Sequence, residues 1–116
     1  MLCPGTNRTR RLLQKGSAQV AMAYWINTFQ SISDPEKLAA YIELVQPAIG
    51  FAGGRFLARG QPAQVFESGV LERTALIEFD SVDAAVAAYH SAAHQTALQA
   101  LGDGAVRDLR IIEATS

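Results

Sequence analysis

Ala23-Tyr24-Trp25-Ile26-Asn27-Thr28-Phe29-Gln30 is the stretch whose reading decides the fold. It is dense in aromatic and β-branched residues, which suit a pleated, half-buried surface, so it reads as a strand. Alternation puts Tyr24, Ile26 and Thr28 on one face and Trp25, Asn27 and Phe29 on the other. Both faces carry large apolar groups. Glu72 to Phe79 (ERTALIEF) is another such strand, nearly continuous in apolar character at its centre. A sheet made of these strands has one face for helices and a second apolar face that something else must cover.

Outward from these strands the elements alternate. Ser33-Asp34-Pro35-Glu36 is a helix start: Ser33 or Asp34 caps, Pro35 suits the first turn, and Glu36 complements the positive helix end. Leu38, Tyr41, Ile42, Val45 and Ile49 then recur at helical spacing, Pro47 should bend or loosen the last turn, and Gly53-Gly54 stops the helix. Arg55 to Arg59 is a strand closed by Gly60-Gln61-Pro62, and a short extended piece is expected at Gln64 to Glu67 before Ser68-Gly69 turns the chain. Asp80-Ser81 opens a second helix with Val82, Ala85, Val86, Tyr89 and Ala93 as its buried stripe. A break is expected near Ser91, and the helix resumes through Thr96 to Leu101. After Gly102-Asp103-Gly104, Arg107 to Glu113 is the last strand. The order β-α-β-β-α-β predicts an α+β, ferredoxin-like unit, a single antiparallel sheet with its helices on one face. The simplest cover for the other face is a second copy related by a two-fold axis, so a homodimer through the sheet face is expected.

Charge divides the 116 residues into two parts. Residues 1–21 contain Arg8, Arg10, Arg11 and Lys15 and no acid, whereas residues 22–116 contain six basic and eleven acidic side chains, a net −5. The first part, with Pro4 and Gly5 and few apolar residues, reads as a basic flexible extension, and 22–116 as one domain. Gln14-Lys15-Gly16-Ser17 interrupts any secretory apolar region, and no run reaches the ~20 apolar residues of a membrane span. A cytoplasmic location and no membrane partner are therefore expected. The lone Cys3 excludes an internal disulfide framework and a cysteine-based zinc site.

Several segments together resemble one family. MAYWINTF from Met22, DPEKLAAY from Asp34, GGRFLARG from Gly53, ERTALIEF from Glu72 and the AYHS ending at Ser91 match, in order and spacing, the domain of unknown function 1330 family within the dimeric α+β barrel superfamily. The resemblance covers residues 22–116. It implies a ferredoxin-like protomer and a homodimer whose two sheets close into a barrel, and it implies no established reaction. Related dimeric barrels hold a small-molecule cavity between sheet and helices, where some run metal-free oxygenase or isomerase chemistry. The chain departs from the pattern at three places. Ser68-Gly69-Val70-Leu71 stands where members often carry Gly-x-Trp-x-Pro, Ala92-Ala93-His94 where they often carry Pro-Glu-Tyr, and Leu101 where many have Arg. If those positions line a pocket, this one is less aromatic and less basic than usual.

The polar residues that fall among apolar positions are the candidates for chemistry. Tyr41 lies on a buried stripe, as a core aromatic or a ligand contact, and Asn27 lies within the first strand. Arg59 can clamp an anion bidentately or pair with Glu67 or Glu72, and Arg73 has the same two roles open to it. Glu78 ends an apolar strand, where burial would make it a base and an arginine would make it an ion pair. His90 and His94 share a helix face, but two ligands do not make a metal site, so no metal or cofactor is expected. His90 beside Tyr89 is the general acid/base candidate, or else a helix-end histidine bound to the final carbonyls.

An RNA-binding sheet is excluded, because ERTALIEF lacks the required aromatic motif and a −5 domain repels phosphate. Two classes stay open. One is a small-molecule enzyme using His90 or Glu78 for proton transfer, with Arg59, Arg73, Glu72, Tyr41 and Asn27 at the ligand. The other is a non-catalytic dimer that binds a small organic molecule or scaffolds.

Overall fold

In the computed structural model, residues 21–115 are described, so all but the last residue of the basic extension lies outside them. Four strands and three helices follow in the order β1 (Ala23–Ile32), α1 (Pro35–Phe51), β2 (Arg55–Gly60), β3 (Thr74–Phe79), α2 (Val82–His90), α3 (Ala92–Leu101) and β4 (Ala105–Glu113). The strands form one antiparallel sheet in the order β2-β3-β1-β4, the ferredoxin-like arrangement. β1 is the pivot. Its Trp25 lies opposite Ile77 on one side and Ile111 on the other, and its Asn27 opposite Ala75 and Leu109.

Alternation along β1 and β3 is clean. Ala23, Trp25, Asn27 and Phe29 are buried, as are Ala75, Ile77 and Phe79, and they pack against Tyr41, Val45, Ile49, Ala85, Ala88, Ala97 and Leu101 from the helices. Trp25 stacks on Phe79 with centroids 5.7 Å apart. Burying a Trp or Phe side chain contributes about 1.5–3 kcal/mol each, so this layer holds the domain together. The opposite face carries Tyr24, Ile26, Leu76 and Ile112, all at least partly exposed.

The helix boundaries follow their caps. The Asp34 carboxylate accepts hydrogen bonds from the backbone N–H groups of Glu36 and Lys37, and Pro35 occupies the first turn. α1 continues past Pro47 to Phe51. Gly53 then takes a left-handed φ of 92°, and Gly54 lets β2 start close to the core, since a Cβ there would lie 2.6 Å from Ile49 and 2.8 Å from Phe79. The expected break at Ser91 is real. Its backbone is extended, its hydroxyl donates to the Ala88 carbonyl at 2.8 Å, and the same oxygen accepts from the His94 N–H, ending α2 and capping α3.

Two expectations are corrected. The piece expected to stay extended over Gln64–Glu67 joins no sheet and turns at its end: Gly69 N–H bonds the Phe66 carbonyl, and Glu67 sits at a left-handed φ of 54°. The stripe drawn through Val86 and Ala93 is not buried, and α3 turns His94, Ala97 and Leu101 inward instead. Among the described residues, no helix is long and apolar enough to cross a membrane.

Candidate functional site

Helix α1 lies over the buried face of the sheet, and the two do not close completely. Between them is a cavity of about 20 Å³, room for about one water-sized group. Its floor is Trp25, Asn27, Phe29, Ala75 and Ile77; its roof is Tyr41, Val45 and Ile49. Ile42, Gln46, Phe56 and Arg73, all partly exposed, form its rim.

The polar groups here are few and placed by strand register. Asn27 is 4% exposed and its Oδ1 has no hydrogen-bond partner among the described residues. Arg107 lies opposite Phe29 across β1 and β4, so it shares the helix-facing side. Its guanidinium sits 4.9 Å from the Tyr41 ring centroid and 5.9 Å from that of Phe29, and its Nη1 donates to the Tyr41 hydroxyl at 2.6 Å. Burial pushes the Tyr41 hydroxyl above its ordinary pKa. The Arg107 guanidinium, then Arg73 and the Asn27 side chain, pull the other way without reversing the shift. Tyr41 is thus a neutral phenol in a cationic surrounding.

His94 is completely buried. Its Nδ1 lies 3.0 Å from the Tyr89 carbonyl, which can only accept, so Nδ1 carries the proton and Nε2 is left as a lone pair without a partner. The ring meets Trp25 edge-on with centroids 5.2 Å apart, one ring away from the cavity that Trp25 lines. Burial holds the imidazole below its ordinary pKa; the Tyr89 carbonyl opposes this and the Arg107 charge adds to it. At neutral pH an uncharged imidazole with an unpartnered acceptor is therefore buried behind Trp25, outside the cavity lining.

Asn27, Tyr41 and Arg73 meet at the cavity. Arg59 is exposed but lies beside it, opposite Ala75 in register, with its guanidinium 4.7 Å from the centroid of the rim residue Phe56. Glu72 stands in the turn before β3, where its carbonyl accepts from the Thr74 hydroxyl. Glu78 faces the other way. It lies opposite Tyr24 and Arg55 and accepts hydrogen bonds from the Tyr24 hydroxyl and Arg55 Nε. His90 is exposed at the end of α2, with its ring edge-on to Tyr89. Arg107, bonded to Tyr41, and His94, packed on Trp25, support the cavity from outside its lining, and the sequence did not single them out for this. The signal for Arg107 was the alternation of β4, and for His94 the cap at Ser91, three residues earlier. Among the described residues no three His, Cys, Asp or Glu side chains converge as a metal site would require.

The sequence profile of one family, the domain of unknown function DUF1330, matches residues 22–115. The chain belongs to that family. No curated protein matches it in sequence. Among solved structures, this DUF1330 chain is similar to a protein of unknown function from Rhodopseudomonas palustris, with a TM-score of 0.65 at 17% identity, covering 83% of this chain and 84% of that one. A dimeric ferredoxin-like protein of unknown function from Thermobifida fusca gives a TM-score of 0.61 at 17% identity, over 83% and 93% of the two chains. A cofactor-independent oxygenase from Streptomyces nogalater gives 0.60 at 12% identity, over 84% and 96%. These likenesses establish the fold. In this DUF1330 member, His94 is buried against Trp25 and Leu101 belongs to the core.

Proposed function

We propose that the protein binds a small organic anion at the cavity between the sheet and α1. The observation that carries this reading is the pairing of its arginines. Arg59, Arg73 and Arg107 all lie on the helix-facing side, around an aromatic-walled cavity, and among the described residues none has a carboxylate within 4.0 Å. This is a domain of net −5, in which carboxylates are plentiful. Guanidinium groups held against low-dielectric aromatic walls favour an incoming anion, and the bidentate geometry suits a carboxylate. The enclosed space takes about one water-sized group, so the charged end of such a molecule lies at the rim beside Arg73. The remainder lies on the rim against Phe56, Ile42 and Gln46, and Phe56 is the wall best able to move, since it stands on an edge strand beside a bulge.

A thermal-shift titration with benzoate tests this. Benzoate is expected to raise the melting temperature of the wild type. The gain shrinks in Arg59→Ala and shrinks further in Arg73→Ala, and it persists in Arg55→Ala. No shift in the wild type contradicts the reading.

The working unit we propose is a homodimer formed through the outward face of the sheet. Tyr24, Ile26, Leu76 and the 57% exposed Ile112 form an apolar surface there, and structural neighbours sharing the fold are described as dimeric. Light scattering at micromolar concentration should give twice the 12.4 kDa chain mass; a monomer mass alone contradicts it.

A second reading adds metal-free proton transfer on the bound molecule, of the kind an oxygenase or isomerase needs. It draws on the neutral, unpartnered Nε2 of His94, which is buried behind Trp25 one ring from the cavity, so it requires Trp25 to move aside. Deuterium uptake at the C3 methylene of phenylpyruvate in D₂O, accelerated by wild type and not by His94→Gln, is its expected signature. Equal rates with and without protein leave a non-catalytic binding dimer.

A further inference from the structure

We infer that the loop joining β2 to β3 is a dimer arm, and that Phe66 of each protomer inserts into a cavity on the outward sheet face of the other. This inference rests on the reading of that face as the dimer interface and says which residue locks it. The cavity has a volume of about 520 Å³ and lies between the loop and the sheet. Ile26, Thr28 and Thr74 form its floor on the outward face, and Val65 and Val70 of the loop wall it. Phe66 stands beside Val65 in the chain yet is 75% exposed. The loop that carries it is built. Gln61 Nε2 donates to the Leu71 carbonyl at 3.3 Å across the loop's neck, and the Glu72 N–H donates to the Val70 carbonyl at 2.8 Å. At the tip, the Gly69 N–H donates to the Phe66 carbonyl at 2.9 Å. That bond closes a turn in which Glu67 takes a left-handed φ of 54°, a conformation disfavoured for a residue with a side chain. A fixed turn thus presents an aromatic ring to water, and covering the ring is favourable.

The occupant of the cavity is a second copy of this chain. One protomer carries both the projecting ring and the recess, which is what a two-fold, self-complementary contact requires. The charges around the recess are met within the chain, Arg110 by Asp108 and Arg55 by Glu78 and Asp80, so this face calls for an apolar group and not a charged partner. The recess is continuous with the apolar surface of Ile26 and Leu76, and structural neighbours sharing the fold are described as dimeric.

Sedimentation velocity over a concentration series tests this on the full chain, comparing the wild type with Phe66→Ser and Phe51→Ser. Phe51, 94% exposed at the end of α1, lies outside the arm and serves as the control. The wild type is expected to dimerise, and Phe66→Ser to weaken the dimer about tenfold or more. Phe51→Ser should follow the wild type. If Phe66→Ser does not fold, a mixed dimer of isotope-labelled and unlabelled wild-type chains decides. The Phe66 ring protons of one chain should then show NOE contacts to methyl groups of the partner's Ile26 and the partner's Val70. A dimer that Phe66→Ser leaves unchanged, equal weakening by both substitutions, or a mixed dimer without those contacts overturns the inference and leaves the dimer standing. A wild type that stays monomeric overturns the dimer reading and the inference with it.

Discussion

Arg55 and Arg110, on the outward face of the sheet, each donate to carboxylates at 3.1–3.2 Å, whereas Arg59, Arg73 and Arg107, on the helix-facing side, have none within 4.0 Å. The two sets differ in what surrounds them more than in distance along the chain. The outward pair is exposed, and its charges are offset locally by Glu78, Asp80 and Asp108 in high dielectric, where such pairs contribute little. Of the inward three, Arg73 and Arg107 are partly buried against the cavity or over aromatic rings, where a missing counter-charge matters more, while Arg59 lies exposed over Phe56. One face of the sheet has its charge requirements met within the protein. The other leaves a requirement that a ligand can meet.

The contrast can be broken most severely at the core. Trp25→Ala removes the ring that stacks on Phe79 and covers His94, and should cost about 3–5 kcal/mol in chemical denaturation. Val106→Ala, on exposed β4 surface, should change stability by less than ~0.5 kcal/mol. If the two substitutions cost the same, the assignment of the faces is wrong.

Tyr41→Phe is next in size. It deprives the Arg107 guanidinium of its acceptor in a half-buried setting and should destabilise the fold by about 1–3 kcal/mol. A denaturation midpoint unchanged from wild type would mean that Arg107 finds an equivalent partner.

A smaller effect is expected from pH. The folded-state pKa of His94 is lowered by burial, so just below the unfolded value of about 6.5 the unfolded chain takes up a proton that the folded one does not. Stability from this group is full above about pH 6.5 and falls as pH drops toward 5, by at most ~1.4 kcal/mol per unit. His94→Phe should flatten that slope. The smallest effect belongs to the outward face: Arg110→Ala breaks only its exposed pairing with Asp108 and should leave the denaturation midpoint where it was.

Much of this architecture is legible in the residues. The aromatic alternation of β1, the Asp34-Pro35 cap and the interruption at Ser91 are local signals, and each acts through its own backbone. Two kinds of information are not local. The break at Ser91 starts a new helix with its own phase, so carrying the α2 stripe forward lands on Ala93, while the cap directs His94, Ala97 and Leu101 inward. Likewise, whether Arg59 comes near Arg73 depends on the β2–β3 register, which a bulge between Phe56 and Ala58 shifts. Glu78 illustrates the same limit. Its place at the end of an apolar strand is readable, but the face it takes, beside Arg55 and Tyr24, is settled by pairing with the neighbouring strands.

Arginine side-chain NMR tests the division between the two faces most directly. With Nε resonances assigned through single Arg→Lys variants, benzoate is added to the wild type. The Arg73 and Arg59 resonances should move along one saturable curve while Arg55 and Arg110 stay in place. Equal drift of all four, or movement confined to Arg55 and Arg110, would contradict an anion site on the helix-facing side of the sheet.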